Sequence, residues 1–383
     1  MNILIIIILF AIAQSVFMGI AMITMNRGNK RANRIWGILL ILYGYSILPL
    51  VMISSNLYVY CPYIYLTGHP LLFLFGPLTM LYTLYLAFPD FNLKIKHSLH
   101  ALPFIIYIAL LTPIYSLSAS EKIAMINAKD DGGMMVEIII FLLIILHIYT
   151  YLFFTDRILK RYDARIKNSF SSLDRINLSW LRSSVYGMGI VFGIMMVLII
   201  FAINSSASIS ESPYHLLIPL TVAAVLFYDT FKALRQPELY MGINVSENLK
   251  RYEKSSLTED KAQQYKSKLL EFMQLEKPYK ESNLTIKDLA TKVNIPGYYI
   301  SQVINDKLNQ NFFDFVNRYR IEETKAMFND TNYANYSLLA IAYEVGFNSK
   351  SVFNSSFKKY TGMTPSIYRK KLAEGKIDFR HAS

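Results

Sequence analysis

The chain has 383 residues, of which 53% are hydrophobic and 17% charged, and its formal net charge is +12. Soluble domains carry about 25% charged residues, so this composition excludes an ordinary soluble protein. The single cysteine, Cys61, excludes an intrachain disulfide and a cysteine-based metal site. The positive charge suits an anionic partner, either nucleic acid or lipid headgroups.

The charged residues divide the chain into two parts. Residues 1–231 hold 15 Lys/Arg and 10 Asp/Glu, whereas residues 232–383 hold 24 and 17. A helix needs about 20 apolar residues to cross a bilayer. Seven apolar segments in the first part approach that length: 3–25, 35–53, 70–88, 99–117, 134–155, 184–203 and 213–231. We therefore predict a membrane domain of about seven spans over residues 1–231.

Three features of these segments leave alternatives open. Gly76 and Pro77 interrupt the third segment, so its continuity is undecided. The sequence AIAQ at 11–14 resembles a signal-peptidase site, but no basic residue precedes it, and we expect an uncleaved first span. Tyrosines around the second segment fit an interfacial aromatic belt or an outward-facing ligand pocket. No residue identifies the ligand.

The distribution of basic residues predicts the orientation. The loops after spans one, three and five carry 13 Lys/Arg, against only Lys122 and Lys129 in the other three loops. Because cytoplasmic loops are enriched in Lys and Arg, the amino terminus is predicted outside and the carboxyl terminus in the cytoplasm. The chain is thus expected to be a multi-pass protein of the cell (inner) membrane, with the lipid bilayer as a partner.

Residues 232–277 are predicted to be a hinge followed by a connector helix. Pro237 lies close to the last span, and a helical pattern starts after Thr258. Its apolar positions are Ala262, Tyr265, Leu269 and Met273. This helix would pack on the tail or pair with a second copy of the chain, and the sequence does not choose between them.

The tail contains an internal repeat. LTIKDLATKVNIPGYYISQVIN aligns with YSLLAIAYEVGFNSKSVFNSSFK, with matched apolar positions 52 or 53 residues apart. Each copy reads as a helix, a turn and a second helix, which is the helix-turn-helix pattern. Predicted caps, boxes and turn residues are Thr285 with Asp288, Ser337, Asn294, Gly346, Asn311 with Asp314, and Thr364 before Pro365. The helix between the copies, about 18 residues or about 27 Å long, would hold the two reading helices near one DNA turn apart.

These motifs carry a resemblance to a known family. The strings LTIKDLATKVNIP, YYISQVIN, FVNRYRIEETKAMF and LLAIAYEVGFNSKSVFNSSFKKYTGMTPSIYR resemble the AraC-type DNA-binding domain over about residues 278–372. SWLRSS and LRQPELY resemble, less specifically, bacterial regulators in which several spans precede such a tail. The predicted fold is therefore all-α, a polytopic helix bundle over 1–231 followed by a cytoplasmic double helix-turn-helix domain over 278–383.

The resemblance implies a DNA-binding face. It places Tyr298, Ser301 and Gln302 of the first reading helix, and Lys350, Ser351, Asn354 and Ser355 of the second, in the major groove. Helical spacing independently puts Asn305 on the face opposite Ile300, Val303 and Ile304. Lys307, Lys358 and Lys359 follow the reading helices and are predicted phosphate contacts. Arg320 is expected to join the two halves of the domain.

Gln302 and Ser355 depart from the family, because many members carry Arg there. Arg on guanine is the commonest specific base contact, so weaker binding or a preference for other bases is expected. This departure keeps an alternative open, a seven-span receptor or carrier whose tail binds a protein or the membrane surface.

The main hypothesis is a one-component transcriptional regulator that senses a signal at the membrane. Its expected partners are double-stranded promoter DNA, a second copy in a homodimer, RNA polymerase and a small-molecule or peptide signal. No catalytic motif is present in the sequence, so we predict no enzyme activity, cofactor or metal.

Overall fold

The computed structural model describes residues 3–26, 28–88, 90–127, 134–174, 176–205, 216–234 and 257–375. These residues form helices and turns, with one isolated antiparallel bridge between Phe170 and Thr285 and no strand among them. The predicted all-α class is confirmed for this part of the chain. Two compact units are present, one comprising Met1–Lys160 and Leu178–Ile243, the other Arg161–Asn177 and Asn244–Ser383.

The described residues before the hinge form eight α-helices. They are α1 (Ile3–Thr24), α2 (Lys30–Ser54), α3 (Leu72–Ala87), α4 (Leu102–Tyr115), α5 (Ala119–Asn127), α6 (Met134–Lys167), α7 (Ser179–Ser205) and α8 (Leu217–Leu234). A 3₁₀ helix at Ile95–Ala101 leads directly into α4. Helix α3 continues through Pro77, which has no N–H to donate to the carbonyl oxygen of Phe73 one turn earlier. That oxygen lies 3.0 Å from Nε2 of His147 instead.

Length and composition separate these helices into two groups. Five described segments are long and apolar enough to cross a membrane: Ile3–Thr24, Lys30–Ser54, Ile95–Tyr115, Ile138–Lys167 and Ser179–Val197. Leu72–Ala87 and Pro219–Phe231 are apolar but shorter. All seven overlap the segments predicted from the sequence, while seven membrane crossings stay a prediction.

The first unit is apolar on its surface as well as in its interior. Helices α1 and α2 approach closely at Gly19 and Gly37, where an added Cβ on either glycine would come within 2.7 Å of the other's carbonyl oxygen. Inside, the Trp36 ring stacks on Tyr82 at 4.8 Å between centroids. Outside, Phe17 is 70% exposed and Leu146 66%. Exposed apolar faces of this extent are compatible with insertion into lipid.

Two pairs of polar side chains meet within this unit. Asp229 is buried, and its carboxylate accepts a hydrogen bond from the hydroxyl of Ser184. His100 lies 2.6 Å from the hydroxyl of Tyr151. The tyrosines assigned to a belt or pocket differ in exposure, since Tyr43 is buried while Tyr60 is exposed.

The described residues 257–375, which include the connector helix and the tail, form seven α-helices around two apolar cores. They are α9 (Glu259–Leu275), α10 (Ile286–Val293), α11 (Gly297–Gln302), α12 (Phe312–Asn329), α13 (Leu338–Glu344), α14 (Lys350–Thr361) and α15 (Pro365–Ala373). Buried residues of the first repeat contribute to the first core, and buried residues of the second repeat contribute to the second core. Helix α12 belongs to both, since Phe312 and Phe315 lie in the first core and Ile321 and Met327 in the second.

The predicted connector helix packs on the tail. Leu269 and Met273 of α9 are buried in the first core, with Tyr265 packed against it. The structure thus shows packing on the tail, while pairing of this helix with a second copy stays a prediction. The predicted hinge, 232–257, lies mostly outside the described residues.

Gly346 provides a test of the tail fold. Its φ is +98°, and an added Cβ would lie 2.6 Å from the carbonyl oxygen of Tyr279. We expect Gly346→Ala to cost more than about 2 kcal/mol, since left-handed strain of about 1–2 kcal/mol adds to this overlap. The measurement is the temperature at which the tail of the detergent-solubilised full-length protein becomes protease-sensitive.

Gly362→Ala is the matched control. Gly362 has φ +75°, but an added Cβ there would meet nothing within 4 Å. Only the conformational strain applies, so this variant should lower the transition temperature less than Gly346→Ala. Equal shifts would contradict the close approach of Gly346 to the backbone of residues 279–280.

Candidate nucleic-acid interface

The first helix-turn-helix is held by local hydrogen bonds. The hydroxyl of Thr285 accepts from the backbone N–H of Asp288 at 3.2 Å, and the Asp288 carboxylate accepts from the N–H of Thr285 at 3.0 Å. This is the predicted capping box, and it begins α10. The turn then passes through Asn294, whose φ of +52° and ψ of +51° are left-handed. Asparagine tolerates that region better than most residues, which explains its place in the turn.

The second helix-turn-helix uses the same chemistry with different residues. The hydroxyl of Ser337 accepts from the N–H of Ala340 at 3.1 Å and begins α13. The chain turns at Gly346, and the hydroxyl of Ser349 accepts from the N–H of Val352 at 3.2 Å to begin α14. Each copy of the sequence repeat therefore forms two helices joined by a left-handed turn residue.

Two predicted helix starts differ in detail. Asn311 accepts from the N–H of Asp314 at 2.8 Å, but the Asp314 carboxylate takes its hydrogen bond from the Asn311 side-chain amide at 3.0 Å. Only half of the predicted capping box forms, because Asp314 also pairs with Lys359. Thr364 precedes Pro365 as predicted, yet its hydroxyl makes no capping bond and lies 3.2 Å from that of Ser366.

The first reading helix comprises α11 and a π-helical turn over Val303–Lys307. Ile300, Val303 and Ile304 are buried in the first core. The predicted base-contacting residues are partly exposed on the remaining surface: Tyr298, Ser301, Gln302 and Asn305. The side chains of Ser301 and Asn305 lie 3.4 Å apart. The structure therefore brings these four residues to a surface that the core leaves open.

The second reading helix, α14, shows the same division. Phe353, Ser356 and Phe357 are buried. The predicted contacts Lys350, Ser351, Ser355, Lys358 and Lys359 are exposed, and Asn354 is partly exposed. The Ser355 hydroxyl donates to the carbonyl oxygen of Val352 at 3.0 Å, so its polar group is turned back onto the helix. The roles of all eleven residues in DNA recognition stay predictions.

Two of the predicted phosphate contacts already have acidic partners. The Lys307 ammonium lies 2.6 Å from the Glu259 carboxylate of α9, and the Lys359 ammonium lies 2.7 Å from the Asp314 carboxylate of α12. Exposed ion pairs of this kind contribute about 0–1 kcal/mol, so a phosphate can replace the carboxylate. Sequence reasoning missed both pairs because the partners are 48 and 45 residues away.

Arg320 joins the two halves, as expected from the sequence. It is buried in α12, and its Nε donates to the carbonyl oxygen of Tyr279 at 2.7 Å, before the first repeat. Its guanidinium carbon lies 5.6 Å from the ring centroid of Phe347 in the second repeat. Burial lowers the pKa of Arg320 to about 10, so the side chain stays charged at neutral pH.

Comparison with known proteins agrees with this geometry. A family model described as a helix-turn-helix domain matches residues 289–371. The melibiose operon regulatory protein of Escherichia coli K12 is 35% identical over 109 residues, covering 28% of this chain and 34% of that protein. The transcriptional regulatory protein HptR of Staphylococcus aureus is 32% identical over 91 residues, covering 24% and 34% respectively. No solved structure matches the chain.

The tail is thus an AraC-type helix-turn-helix DNA-binding domain, homologous to those of transcriptional regulators. The chain spans about a third of the length of the curated relatives it matches.

Lys358 and Asn354 separate the two kinds of DNA contact. Lys358→Ala should weaken binding to all sequences by a similar factor, because only a phosphate contact is lost. The salt slope, which is the steepness with which the logarithm of affinity falls with the logarithm of salt concentration, should decrease by about one. Asn354→Ala should instead relax the preference at one base pair, by about 1–3 kcal/mol. Binding of the full-length protein to a set of single-base operator variants measures both effects.

Lys370→Ala serves as the control for a lost positive charge. Lys370 is exposed in α15, outside both reading helices, and pairs with Glu374 at 3.9 Å. It should leave the salt slope nearly unchanged. If Lys358→Ala changed sequence preference, or Asn354→Ala lowered all affinities alike, the assignment of these side chains would be wrong.

Proposed function

We propose that this chain is a membrane-anchored, one-component transcriptional regulator. Its tail binds promoter DNA in the cytoplasm, and the apolar helices before the hinge anchor it and sense a signal. The observation that carries the proposal is the pair of helix-turn-helix units in one chain with apolar helices, five of which, among the described residues, are long enough to cross a membrane. Both reading helices leave a polar surface exposed.

The relatives support the regulatory part of the proposal. The E. coli relative is a regulatory protein of the melibiose operon, and the S. aureus relative is a transcriptional regulatory protein. By analogy, the tail recognises an operator and acts on transcription, with RNA polymerase as a further partner. Two copies reading adjacent half-sites would raise affinity, which compensates for the absence of Arg at Gln302 and Ser355.

Chain connectivity supports the orientation. Residues 161–177 comprise the end of α6 and most of the loop before α7, and they belong to the same compact unit as the tail. A loop and a domain that fold together must lie on the same side of a membrane. The basic residues of this loop predict that side to be the cytoplasm. A reporter fused after Ser383 tests the orientation, and activity of a periplasm-specific reporter there would contradict the proposal.

The salt dependence of DNA binding tests the function itself. Genome-wide mapping of the DNA that copurifies with the protein identifies candidate binding sites. We expect the full-length protein in lipid nanodiscs to bind these sites. If six phosphates are contacted, affinity should fall about 10³-fold between 50 and 200 mM salt, because each neutralised phosphate releases counterions. Binding is measured by fluorescence anisotropy at both salt concentrations.

Empty nanodiscs and a scrambled duplex are the controls. A tail that binds a protein or the membrane surface would form no salt-sensitive DNA complex, and that outcome would favour the receptor or carrier alternative. A complex with equal affinity for the scrambled duplex would contradict sequence-specific regulation.

A further inference from the structure

The tail domain includes a segment from between two apolar helices. Residues 161–177 comprise the last seven residues of α6 and most of the loop before α7. They belong to the compact unit that contains the helix-turn-helix repeats. Within them, the four residues Ser169–Ser172 lie along the amino-terminal end of the first repeat. We name these four residues the docking segment.

The docking segment pairs with the tail through its backbone. The N–H of Ser171 donates to the carbonyl oxygen of Leu284 at 3.1 Å, and the N–H of Ile286 donates to that of Ser169 at 3.0 Å. These two bonds flank Phe170 and Thr285, which form an antiparallel bridge. Phe170 and Thr285 are therefore a non-hydrogen-bonded pair, whose Cα atoms lie about 4.5 Å apart in such bridges.

Ser171 also completes the hydrogen bonding of Arg320. A guanidinium has five N–H groups. Three of them are directed at Tyr279 O (2.7 Å), Glu281 O (2.8 Å) and Asn317 Oδ1 (3.0 Å). The other two are directed at the carbonyl oxygen and the hydroxyl of Ser171, both at 3.2 Å. Arg320 and Ser171 are each 1% exposed, so the segment supplies two of five acceptors to a buried charge.

The docking segment reaches the second repeat as well. The side-chain amide of Asn348 lies 3.2 Å from the hydroxyl of Ser172 and 2.8 Å from Asn283 Oδ1. Asn348 directly precedes Ser349, the residue that caps the second reading helix. One short segment thus contacts the start of the first helix-turn-helix, the helix α12 between the two repeats, and the turn of the second helix-turn-helix.

The segment is closely tied to the apolar helices. It starts two residues after α6 ends at Lys167, and α7 begins seven residues after Ser172. Because an extended residue spans at most about 3.6 Å, Ser169 can lie no farther than about 7 Å from the end of α6. Any movement of that helix end must move the segment or pull it from the tail.

We propose that the docking segment is a regulatory contact. When it is docked, it fixes the two reading helices relative to each other and strengthens DNA binding. When movement of α6 displaces it, the two reading helices are no longer fixed relative to each other. The inference rests on the proposed function for the DNA-binding role of the tail. Docking strengthens binding because two helices fixed in advance lose less freedom on entering adjacent grooves. DNA must in turn favour docking by the same factor, which for such couplings is about 5–150.

A disulfide across the bridge tests docking directly. In full-length protein carrying Cys61→Ser, Phe170→Cys and Thr285→Cys should form a disulfide on oxidation, because their Cα separation suits one. A protease site inserted within 235–256 allows the chain to be cut between the two cysteines. The expected result is two fragments that stay joined on a non-reducing gel and separate on reduction.

The matched control is Phe170→Cys with Thr291→Cys. Thr291 is exposed on α10, about 9 Å along the helix from Thr285, which is too far for a disulfide. Thr285→Cys alone controls for loss of the helix cap. If the 170–285 pair links no better than the 170–291 pair, docking is overturned.

A pair of serine variants in the cysteine background tests the role of Arg320. Ser171→Ala removes an acceptor from a buried charged group, so the rate of linking should fall about 10-fold. Ser172→Ala removes only a contact to the exposed Asn348 amide and should leave the rate nearly unchanged. Equal effects of the two variants would overturn the claim that Arg320 holds the segment.

DNA binding then tests the regulatory step. The oxidised 170–285 protein should bind its DNA at least about 5-fold more tightly than the reduced protein, and DNA should accelerate linking. Unchanged or weaker binding on oxidation would overturn the regulatory proposal. Absence of any DNA complex would overturn the proposed function and the coupling together, while the gel would still report whether the segment docks.

Discussion

The tail depends on one buried positive charge. Arg320 lies in the helix that both apolar cores share, and no carboxylate is among the acceptors of its five N–H groups. Neutral carbonyl, amide and hydroxyl oxygens must all be in place, since a buried guanidinium without acceptors is strongly destabilising. Those acceptors come from segments on either side of the hinge. The requirement of this single side chain therefore fixes which parts of the chain must meet.

A second constraint acts on the residues before the hinge. Their helices carry large apolar side chains on outward surfaces, such as Phe17 and Leu146, and such surfaces are compatible with insertion into lipid. Helices α1 and α2 approach closely at Gly19 and Gly37, where two small residues let the backbones meet. The two units thus satisfy different packing rules within one chain.

Local features of the fold were predictable because they depend on neighbours in sequence. Helical periodicity, the Thr285 capping box, the Ser337 cap and the left-handed residues Asn294 and Gly346 all follow from short-range stereochemistry. The buried faces of the two reading helices were predictable for the same reason. Features that join distant residues were not, including the ion pair of Lys307 with Glu259.

The docking segment shows this limit most clearly. NSFSSLD has no apolar periodicity and reads as an ordinary polar loop between spans. Its partner Arg320 stands 149 residues later, and only the folded chain reveals that a serine meets it. The repeat identified what kind of domain the tail is, but not that the domain takes part of its structure from upstream.

The tail is therefore a discontinuous domain, which a single cut in the gene cannot excise intact. A fragment that starts after the hinge would lack Ser171 and leave two N–H groups of Arg320 to be met by water. Chimeras that exchange the tail between related proteins face the same problem, because the incoming domain would meet a foreign loop. A chimera that transfers the loop and the tail together would keep the discontinuous domain intact.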